Sequence, residues 1–384
     1  MRLTKLYIHN YKSFYDTTIE LDKLNIVVGE NNSGKSNLID VLEFIDIATS
    51  KDIERAISDK GGYDKIKNYS AVGEEKVIVR ATFEIEKDGN DDGYSGAFFD
   101  GFITISLSFS KKYSYFTYCI EVPYIKYIRS VKTHFNNSNK NKEKFIILSK
   151  ADWLKNYENV FLEDDIKLNI HFSTYYFDTN LIRKESSNED VIYLKKDGSN
   201  LGKNLFDIKT KDENRFEAIS NSLITTVNEI DGIDVYNIAG SYIIVFKEGD
   251  REININTVSD GTINILATIT ALNQIENYFP ALCDGFLLAF EEPERHLHLK
   301  VMDYLLQNFR ASDKQIIVTT HSTELLNYAK LEEIVFIYRD SDGDTQSIRA
   351  IDVPNLEGKM ERLSYERPMN LDEMISCGMV GNFE

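Results

Sequence analysis

GENNSGKS, residues 29 to 36, has the G-x4-G-K-S pattern of a loop that binds phosphate groups. The β-rich run Leu24 to Val28 precedes it, and apolar residues with helical spacing follow it from Asn37 to about Ser50. Phosphate binding requires a strand, a glycine-rich loop and a helix in this order, because the loop N–H groups and the helix N-terminus then point at the anion. The stretch therefore predicts a nucleotide site.

The residues of this loop have different expected roles. We expect Lys35 to reach the β- and γ-phosphates of ATP, and Ser36 to coordinate Mg²⁺. The other residues of the loop and helix start that are predicted to bind ATP are Asn31, Asn32, Ser33, Gly34 and Asn37. The predicted ligand is ATP with Mg²⁺.

A second motif is the apolar strand Phe286 to Phe290, which ends in two carboxylates. We assign Glu291 to the metal, because a carboxylate at a strand tip can hold Mg²⁺, and Glu292 to the general base that polarises the attacking water. The alternative is a pair of surface acids that cap the next helix.

A third motif is the apolar strand Gln315 to Thr319, which places His321 at the same edge of the predicted sheet. There the imidazole can donate a hydrogen bond to the γ-phosphate and sense hydrolysis. A histidine after a strand is, taken alone, more often a structural or solvated residue. The order of the motifs along the chain favours the catalytic interpretation.

A fourth motif, Val258-Ser259-Asp260-Gly261-Thr262, precedes a long apolar helix predicted from Thr262 to Tyr278. Ser259 or Asp260 is expected to cap this helix, and capping alone is one interpretation. The second is that Ser259, Asp260 and Gly261 bind the γ-phosphate of an ATP presented by another subunit, because a free helix N-terminus attracts anions.

Two histidines, His296 and His298, follow the carboxylate pair and raise the question of a metal site. No companion cysteine or carboxylate stands at a ligand spacing. An interface or a helix start is therefore the favoured interpretation.

The composition describes a globular protein of 384 residues, 42% hydrophobic and 28% charged. No apolar stretch approaches the roughly 18 residues of a membrane span, and no secretion signal begins the chain. Three cysteines without a CxxC pair suit a reducing compartment, so we expect a cytoplasmic protein. The net charge of −18 favours a protein or small-molecule partner and opposes nucleic acid, except at a local basic patch predicted at 124–144.

The pattern of strands and helices predicts an α/β fold. From Ser259 onwards helices and strands alternate as in a parallel sheet, whereas strands at Val77 to Ile85, Phe102 to Phe109 and Tyr113 to Val122 indicate an antiparallel lobe. Residues 132–144 are polar and predict a loop. The predicted domains are a head formed by residues 1–110 and 236–384 and a mixed α+β insertion of residues 111–235.

These four motifs in this order resemble the ABC ATPase superfamily, in the branch containing RecF, the SMC proteins and the OLD ATPases. Leu6 to Phe14 looks like the first strand of that branch, and Glu291 to His298 resembles the Walker B element and D-loop of OLD proteins. Tyr193-Leu194 and Asp197 to Leu201 look like a segment common in these small ATPases. The fold that the resemblance implies is an ABC ATPase head with a mixed sheet, an antiparallel β lobe, a parallel RecA-like core and a middle insertion.

The resemblance also implies how ATP is bound and hydrolysed. In this branch ATP is sandwiched between the phosphate loop of one head and the signature of another, so Ser259 and Gly261 would act in trans in a homodimer or larger oligomer. Glu291 stands where many relatives have aspartate, and no glutamine can be assigned to a Q-loop.

OLD proteins usually continue into a nuclease domain, whereas about 90 residues follow the carboxylate pair here. The expectation is the stand-alone ATPase half of a split system, as in PARIS or Septu anti-phage defence, which controls a separate nuclease or toxin. The alternative is a RecF-like ATPase of DNA repair that uses the basic stretch Tyr124 to Lys144. The motor of a transporter fits poorly, because the insertion and the Walker B sequence differ from that branch.

Overall fold

The computed structural model describes residues 1–71, 75–85, 101–122, 125–134, 143–148, 169–187, 193–227, 229–274, 284–354 and 356. They form two compact units. The first comprises the described residues of Met1–Phe172, Phe279–Leu287 and Glu332–Pro354, and the second those of Ser173–Tyr278 and Leu288–Leu331, with Leu356. The predicted division into a split head and an insertion stays a prediction.

The strands are β1 Arg2–Tyr11, β2 Phe14–Glu20, β3 Leu24–Val28, β4 Val77–Ile85, β5 Gly101–Phe109, β6 Tyr113–Val122, β7 Ile125–His134, β8 Glu143–Leu148, β9 Asn169–Tyr175, β10 Ser186–Ser187, β11 Gly232–Ile238, β12 Ser241–Glu248, β13 Arg251–Asn254, β14 Asp284–Glu291, β15 Gln315–Thr320, β16 Ile334–Arg339 and β17 Thr345–Arg349. The α-helices are α1 Lys35–Ser50, α2 Ile53–Asp59, α3 Tyr63–Ile66, α4 Thr179–Ile182, α5 Leu201–Lys211, α6 Glu213–Thr226, α7 Asp260–Leu272, α8 Leu299–Ala311 and α9 Thr323–Leu326. Short 3-10 turns lie at Ile255–Thr257, Leu331–Glu333 and Ala350–Asp352.

An antiparallel sheet dominates the first unit, with its strands in the order β2, β1, β4, β5, β6, β7, β8. Strand β4 shows why it forms, since every second side chain from Val77 to Ile85 is buried, which is the period of a strand with one face on a core. The predicted antiparallel lobe is confirmed and continues through β7 and β8. The predicted loop at 132–144 was therefore wrong at its ends, because residues 132–134 finish β7 and residues 143–144 begin β8. The rest of that loop, residues 135–142, lies outside the described residues, as does Tyr124 of the predicted basic patch.

The strand that leads to the phosphate loop is β3. All five of its residues are buried, and it pairs in parallel with β16, Ile26 opposite Ile334. Strand β16 pairs antiparallel with β17. Continuous apolar sequence is typical of parallel strands covered on both faces. The predicted mixed α/β fold is thus confirmed.

Helix α1 follows the loop and packs one face into the core. Its apolar residues at helical spacing, among them Leu38, Val41 and Phe44, are all buried, as their period predicts. The ring of Phe44 lies 5.3 Å from that of Phe109 and 5.7 Å from that of Tyr11, centroid to centroid. The helix begins at Lys35, two residues before the predicted start.

Charged groups hold the outer side of α1. The carboxylate of Asp40 accepts hydrogen bonds from Tyr11 Oη at 2.7 Å and from Lys60 Nζ at 2.6 Å, and pairs with Lys12 Nζ at 2.6 Å. Lys60 also donates to Glu43 Oε2 at 2.7 Å. Burial opposes ionisation of Asp40, but the hydrogen bonds from Lys12 and Lys60 prevail and lower its pKa below the ordinary value.

The second unit is built around α7. Every residue from Gly261 to Leu272 is buried, as expected for a helix that is apolar on all sides. The helix begins at Asp260, two residues before the predicted start, and ends at Leu272, while residues 275–278 of the predicted helix lie outside the described residues. Strands β15, β14 and β9 are neighbours in that order, and β11 and β12 form a hairpin that also pairs with β10 and β13.

The segment Tyr193 to Leu201, which the sequence singled out, is a tightly bonded turn of the second unit. The side chain of Asn200, 3% exposed, accepts from Lys195 N at 2.7 Å and donates to Tyr193 O at 2.9 Å. Gln274, two residues after α7 ends, accepts from Leu194 N at 2.7 Å. These contacts give the segment a structural role.

In the part of the chain that the structure describes, no helix is both long and apolar enough to cross a bilayer.

We expect Asp40→Ala to lower the free energy of unfolding by about 3 kcal/mol, because it leaves Lys12 without this partner and uncovers a part-buried charge cluster. The matched control is Arg55→Ala, which removes the solvent-exposed pair with Asp59 and should cost less than about 1 kcal/mol. Urea unfolding of both variants measures the difference. Equal losses would contradict the stabilising role of the Asp40 cluster.

Candidate nucleotide site

Two glycines give the phosphate loop its shape. A Cβ on Gly29 would lie 2.0 Å from Ile337 O, so only glycine allows the backbone to approach β16 this closely. Gly34 has φ 120°, and a Cβ there would lie 2.6 Å from Thr345 Oγ1. The loop therefore forms a curved cradle. A side chain at either of these two positions would destroy its curvature.

The ammonium of Lys35 is enclosed by the loop. The side chain is buried, and Nζ donates to Gly29 O at 2.6 Å and to Glu30 O at 2.8 Å. The hydroxyl of Ser33, also buried, has no hydrogen-bond partner among the described residues. The buried ammonium of Lys35 and the hydroxyl of Ser33 can both donate hydrogen bonds. The loop is therefore suited to phosphate oxygens, which accept from both groups.

The remaining predicted residues of the loop lie at its rim. Asn31, Asn32 and Ser36 are exposed. Asn37 is half-buried, and its amide donates to Ser13 Oγ at 2.7 Å instead of facing the loop interior.

Residues distant in sequence support the loop, and the sequence analysis missed them. Thr345 Oγ1 lies 2.8 Å from both Ser13 Oγ and Ser33 O, and Thr345 N donates to Ser13 O at 2.8 Å. Arg339 Nε donates to Asn32 O at 3.0 Å. No local pattern indicates these contacts, since a lone threonine or arginine in a strand carries no positional signal.

In the second unit the structure brings Glu292 and His321 together. His321 Nε2 lies 3.6 Å from Glu292 Oε1, and Arg295 Nε donates to Glu292 Oε2 at 2.5 Å. Glu292 N donates to Thr319 O at 2.8 Å, which ties the end of β14 to β15. Glu292 has φ 48°, a strained conformation of the kind that concentrates at functional sites. Glu291, the last residue of β14, is half-buried.

A further carboxylate in this loop, Glu294, is 6% exposed. Its Oε1 accepts from the Thr320 hydroxyl, which in turn accepts from Ser322 N at 2.8 Å, and its Oε2 has no partner in the described part of the chain. Burial raises the pKa of Glu294 to about 7, with a smaller contribution from the charge of Glu292. Glu294 lies within a motif recognisable from the sequence, but its residue type and position alone predict no role for it.

The motif before α7 forms a helix cap, as predicted. Ser259 is the N-cap, and its Oγ accepts from Thr262 N at 3.1 Å while remaining exposed. Arg183 fixes the segment, because it donates to Ile255 O at 2.6 Å, Val258 O at 2.8 Å and Asp260 Oδ1 at 2.6 Å. The hydrogen bond from Arg183 lowers the pKa of Asp260 below its ordinary value.

Ser36 in the first unit and Glu291 in the second each carry an oxygen of the kind that binds Mg²⁺, which takes few protein ligands and completes its shell with water and phosphate oxygens. Among the described residues no group of three or more His, Cys, Asp and Glu side chains could hold a metal ion by itself. The assignment of these two residues to magnesium stays a prediction.

A glycine cradle at the end of a buried parallel strand, with an enclosed lysine at the start of the next helix, defines a P-loop protein that binds nucleotide. The chain belongs to the family described as "AAA domain, putative AbiEii toxin, Type IV TA system", whose model matches residues 24–327. This places it among the AAA- and ABC-type ATPases, as the motifs predicted. The nearer resemblance to OLD, PARIS or Septu proteins stays a prediction.

Solved structures of SMC heads are similar to this chain. An SMC head bound to the C-winged helix domain of ScpA is 17% identical, covers 91% of this chain and 98% of its own, and gives a TM-score of 0.49. The SMC head domain from Thermotoga maritima is 15% identical, with 91% and 99% covered and a TM-score of 0.44. An SMC head with an extended coiled coil, bound to the C-terminal domain of ScpA derived from Pyrococcus furiosus, is 14% identical, with 95% and 99% covered and a TM-score of 0.48. No curated protein matches the sequence. The family assignment rests on the sequence match, since the three TM-scores are low.

Glu294→Gln should make the protein less sensitive to high pH. The pKa of Glu294 is about 7 in the folded chain and 4.5 as its ordinary value, so the folded state binds this proton more tightly. The contribution of Glu294 to wild-type stability is then complete below about pH 4.5 and is lost as the pH rises through 7, by about 3 kcal/mol in all, and Gln removes this dependence. Urea unfolding across this range measures it. A difference between the two proteins that does not change with pH would contradict the assignment.

Proposed function

We propose that this chain is an ATPase whose copies close in pairs around ATP and thereby control a separate effector, a nuclease or a toxin, in anti-phage defence. The observation that supports hydrolysis is the pair of Glu292 and His321, which meet after β14 and β15. A general base beside a hydrogen-bond donor for the γ-phosphate is the minimum that hydrolysis requires.

The reaction follows from these groups. The oxygen of a water molecule attacks the γ-phosphorus in line with the bridging oxygen, and the Pγ–O bond to the β-phosphate breaks, which releases ADP and phosphate. Glu292 takes the proton of the attacking water, while His321 donates a hydrogen bond to a γ-phosphate oxygen. Lys35 and the loop N–H groups bind the β- and γ-phosphates. Mg²⁺, when bound through Ser36 and Glu291, neutralises phosphate charge.

Closure in pairs would use the tip of α7. Ser259 is exposed, and the N–H groups at a helix N-terminus attract anions. Asp260 would repel a phosphate, but Arg183 offsets its charge through a contact of 2.6 Å. The exposed Ser259 end of the tip is thus suited to the γ-phosphate held by a second copy, whereas Gly261 is buried behind it against His296 O.

Control of a separate effector is argued from composition and from the resemblance of the motifs. A net charge of −18 favours association with a protein or a small molecule over nucleic acid. The family description applies the words "putative AbiEii toxin, Type IV TA system" to this domain itself, which supports a toxin–antitoxin role but does not identify a second polypeptide as the effector. Defence systems of the PARIS and Septu kind divide ATPase and effector between two polypeptides, and this chain is proposed to have the ATPase part.

Glu292→Gln should trap an ATP-bound pair, because it removes the base while the groups that bind ATP remain. Sedimentation with ATP and Mg²⁺ should show about twice the mass of the nucleotide-free protein, and turnover should fall by a factor of about 100 or more. Lys35→Ala in the same background is the control and should stay at the lower mass. A Glu292→Gln protein whose mass ignores ATP would overturn closure in pairs.

The trapped protein also tests the effector. Expressed with its neighbouring genes, it should copurify with a nuclease or toxin polypeptide that Lys35→Ala fails to retain. Retention of DNA that weakens steeply with salt, without a protein partner, would instead support the repair function.

A further inference from the structure

Asn264, on the second turn of α7, holds the loop that contains Glu292. Its side chain is 5% exposed, and Nδ2 donates to Pro293 O at 3.0 Å and to Arg295 O at 3.2 Å. One amide nitrogen has two hydrogens, so a single side chain satisfies both carbonyls. The backbone on either side of Glu294 is therefore fastened to α7.

A second contact joins the same two elements. A Cβ on Gly261 would lie 2.6 Å from His296 O, so the first turn of α7 packs directly on the loop backbone. Within the loop, Glu292 and His296 both have positive φ, 48° and 65°. Such conformations persist only where the surroundings fix them, and Asn264 and Gly261 supply that restraint.

The buried amide of Asn264 reduces the stability of the fold, so packing alone does not explain it. It lies within a helix buried on all sides, and its Oδ1 has no hydrogen-bond partner among the described residues. An unsatisfied buried acceptor reduces stability, whereas an apolar side chain of similar size would pack without that loss. A requirement for the shape of the loop explains why a donor stands here.

The two elements that Asn264 joins serve different nucleotides in a closed pair. Glu292 would act on the ATP in its own phosphate loop, and the α7 tip at Ser259 would contact the ATP of the partner. We propose that Asn264 is a positioning residue that makes hydrolysis at one site depend on occupancy of the other. This inference rests on the proposed function, since it needs two composite sites.

The proposed coupling passes through the hydrogen bonds that already join Asn264 to the loop containing Glu292. A γ-phosphate that draws the tip of α7 towards it also moves Asn264, and the carbonyls of Pro293 and Arg295 follow. Displacement of a catalytic group by about 1 Å changes rates by as much as a hundredfold, so a small shift of the Glu292 loop is enough to switch turnover.

Asn264→Leu tests the proposal, because it keeps the size of the side chain and removes the donor. We expect kcat to fall by a factor of about 10 to 100 and KM for ATP to change less than about threefold. The Hill coefficient for ATP should fall from a wild-type value above 1, with 2 as the upper limit for two sites, to about 1. The matched control is Thr270→Val on the same buried helix, whose hydroxyl bonds only within α7, to Leu266 O at 2.7 Å.

Asn264→Asp provides a second way to break the contact if Asn264→Leu does not fold, since it replaces the donor by an acceptor of the same shape. A folded variant with wild-type kcat and Hill coefficient would overturn the inference. Equal losses in Thr270→Val would also overturn it, because general damage to α7 would then explain them. A wild-type protein that does not pair with ATP would overturn the proposed function itself, whereas pairing beside an unaffected Asn264→Leu would overturn this inference alone.

Discussion

The phosphate loop depends on the close approach of Thr345 to Gly34. The threonine hydroxyl lies 2.8 Å from Ser13 Oγ and from Ser33 O, in space that any side chain at Gly34 would fill. Because β17 and the β1–β2 turn both meet the loop at this point, three distant parts of the sequence determine one curve of backbone. Contacts within the chain therefore determine the shape of the loop.

The two loops that have roles in the proposed chemistry differ in their charge. The loop of the first unit surrounds one buried cation, Lys35, with neutral acceptors. The loop of the second unit concentrates carboxylates, and the pKa of about 7 at Glu294 means that this one is half protonated near pH 7 and mostly neutral below it. A protonated Glu294 leaves Glu292 as the carboxylate that Arg295 and His321 face. Neutralising a neighbour is a general way to keep one acid available as a base.

Local patterns predicted much of this arrangement. The spacing of Gly29, Gly34 and Lys35 predicted the loop, and residue type predicted a cap at Ser259 or Asp260, because both features depend on neighbours in sequence. The contacts of Thr345 and Asn264 join residues that are distant in sequence, so no local pattern predicts them. The polar run at 132–144 suggested a loop, yet its ends belong to β7 and β8, where pairing with a neighbouring strand outweighs local composition.

The ammonium of Lys35 donates to the carbonyls of Gly29 and Glu30, which belong to the same loop. A phosphate bound by this lysine would therefore compete with acceptors of the loop itself, and the affinity would measure the difference between the two sets of hydrogen bonds. The chain thus carries internal substitutes for the oxygen atoms of a ligand, so that neither gain nor loss of a phosphate would expose a buried positive charge without partners.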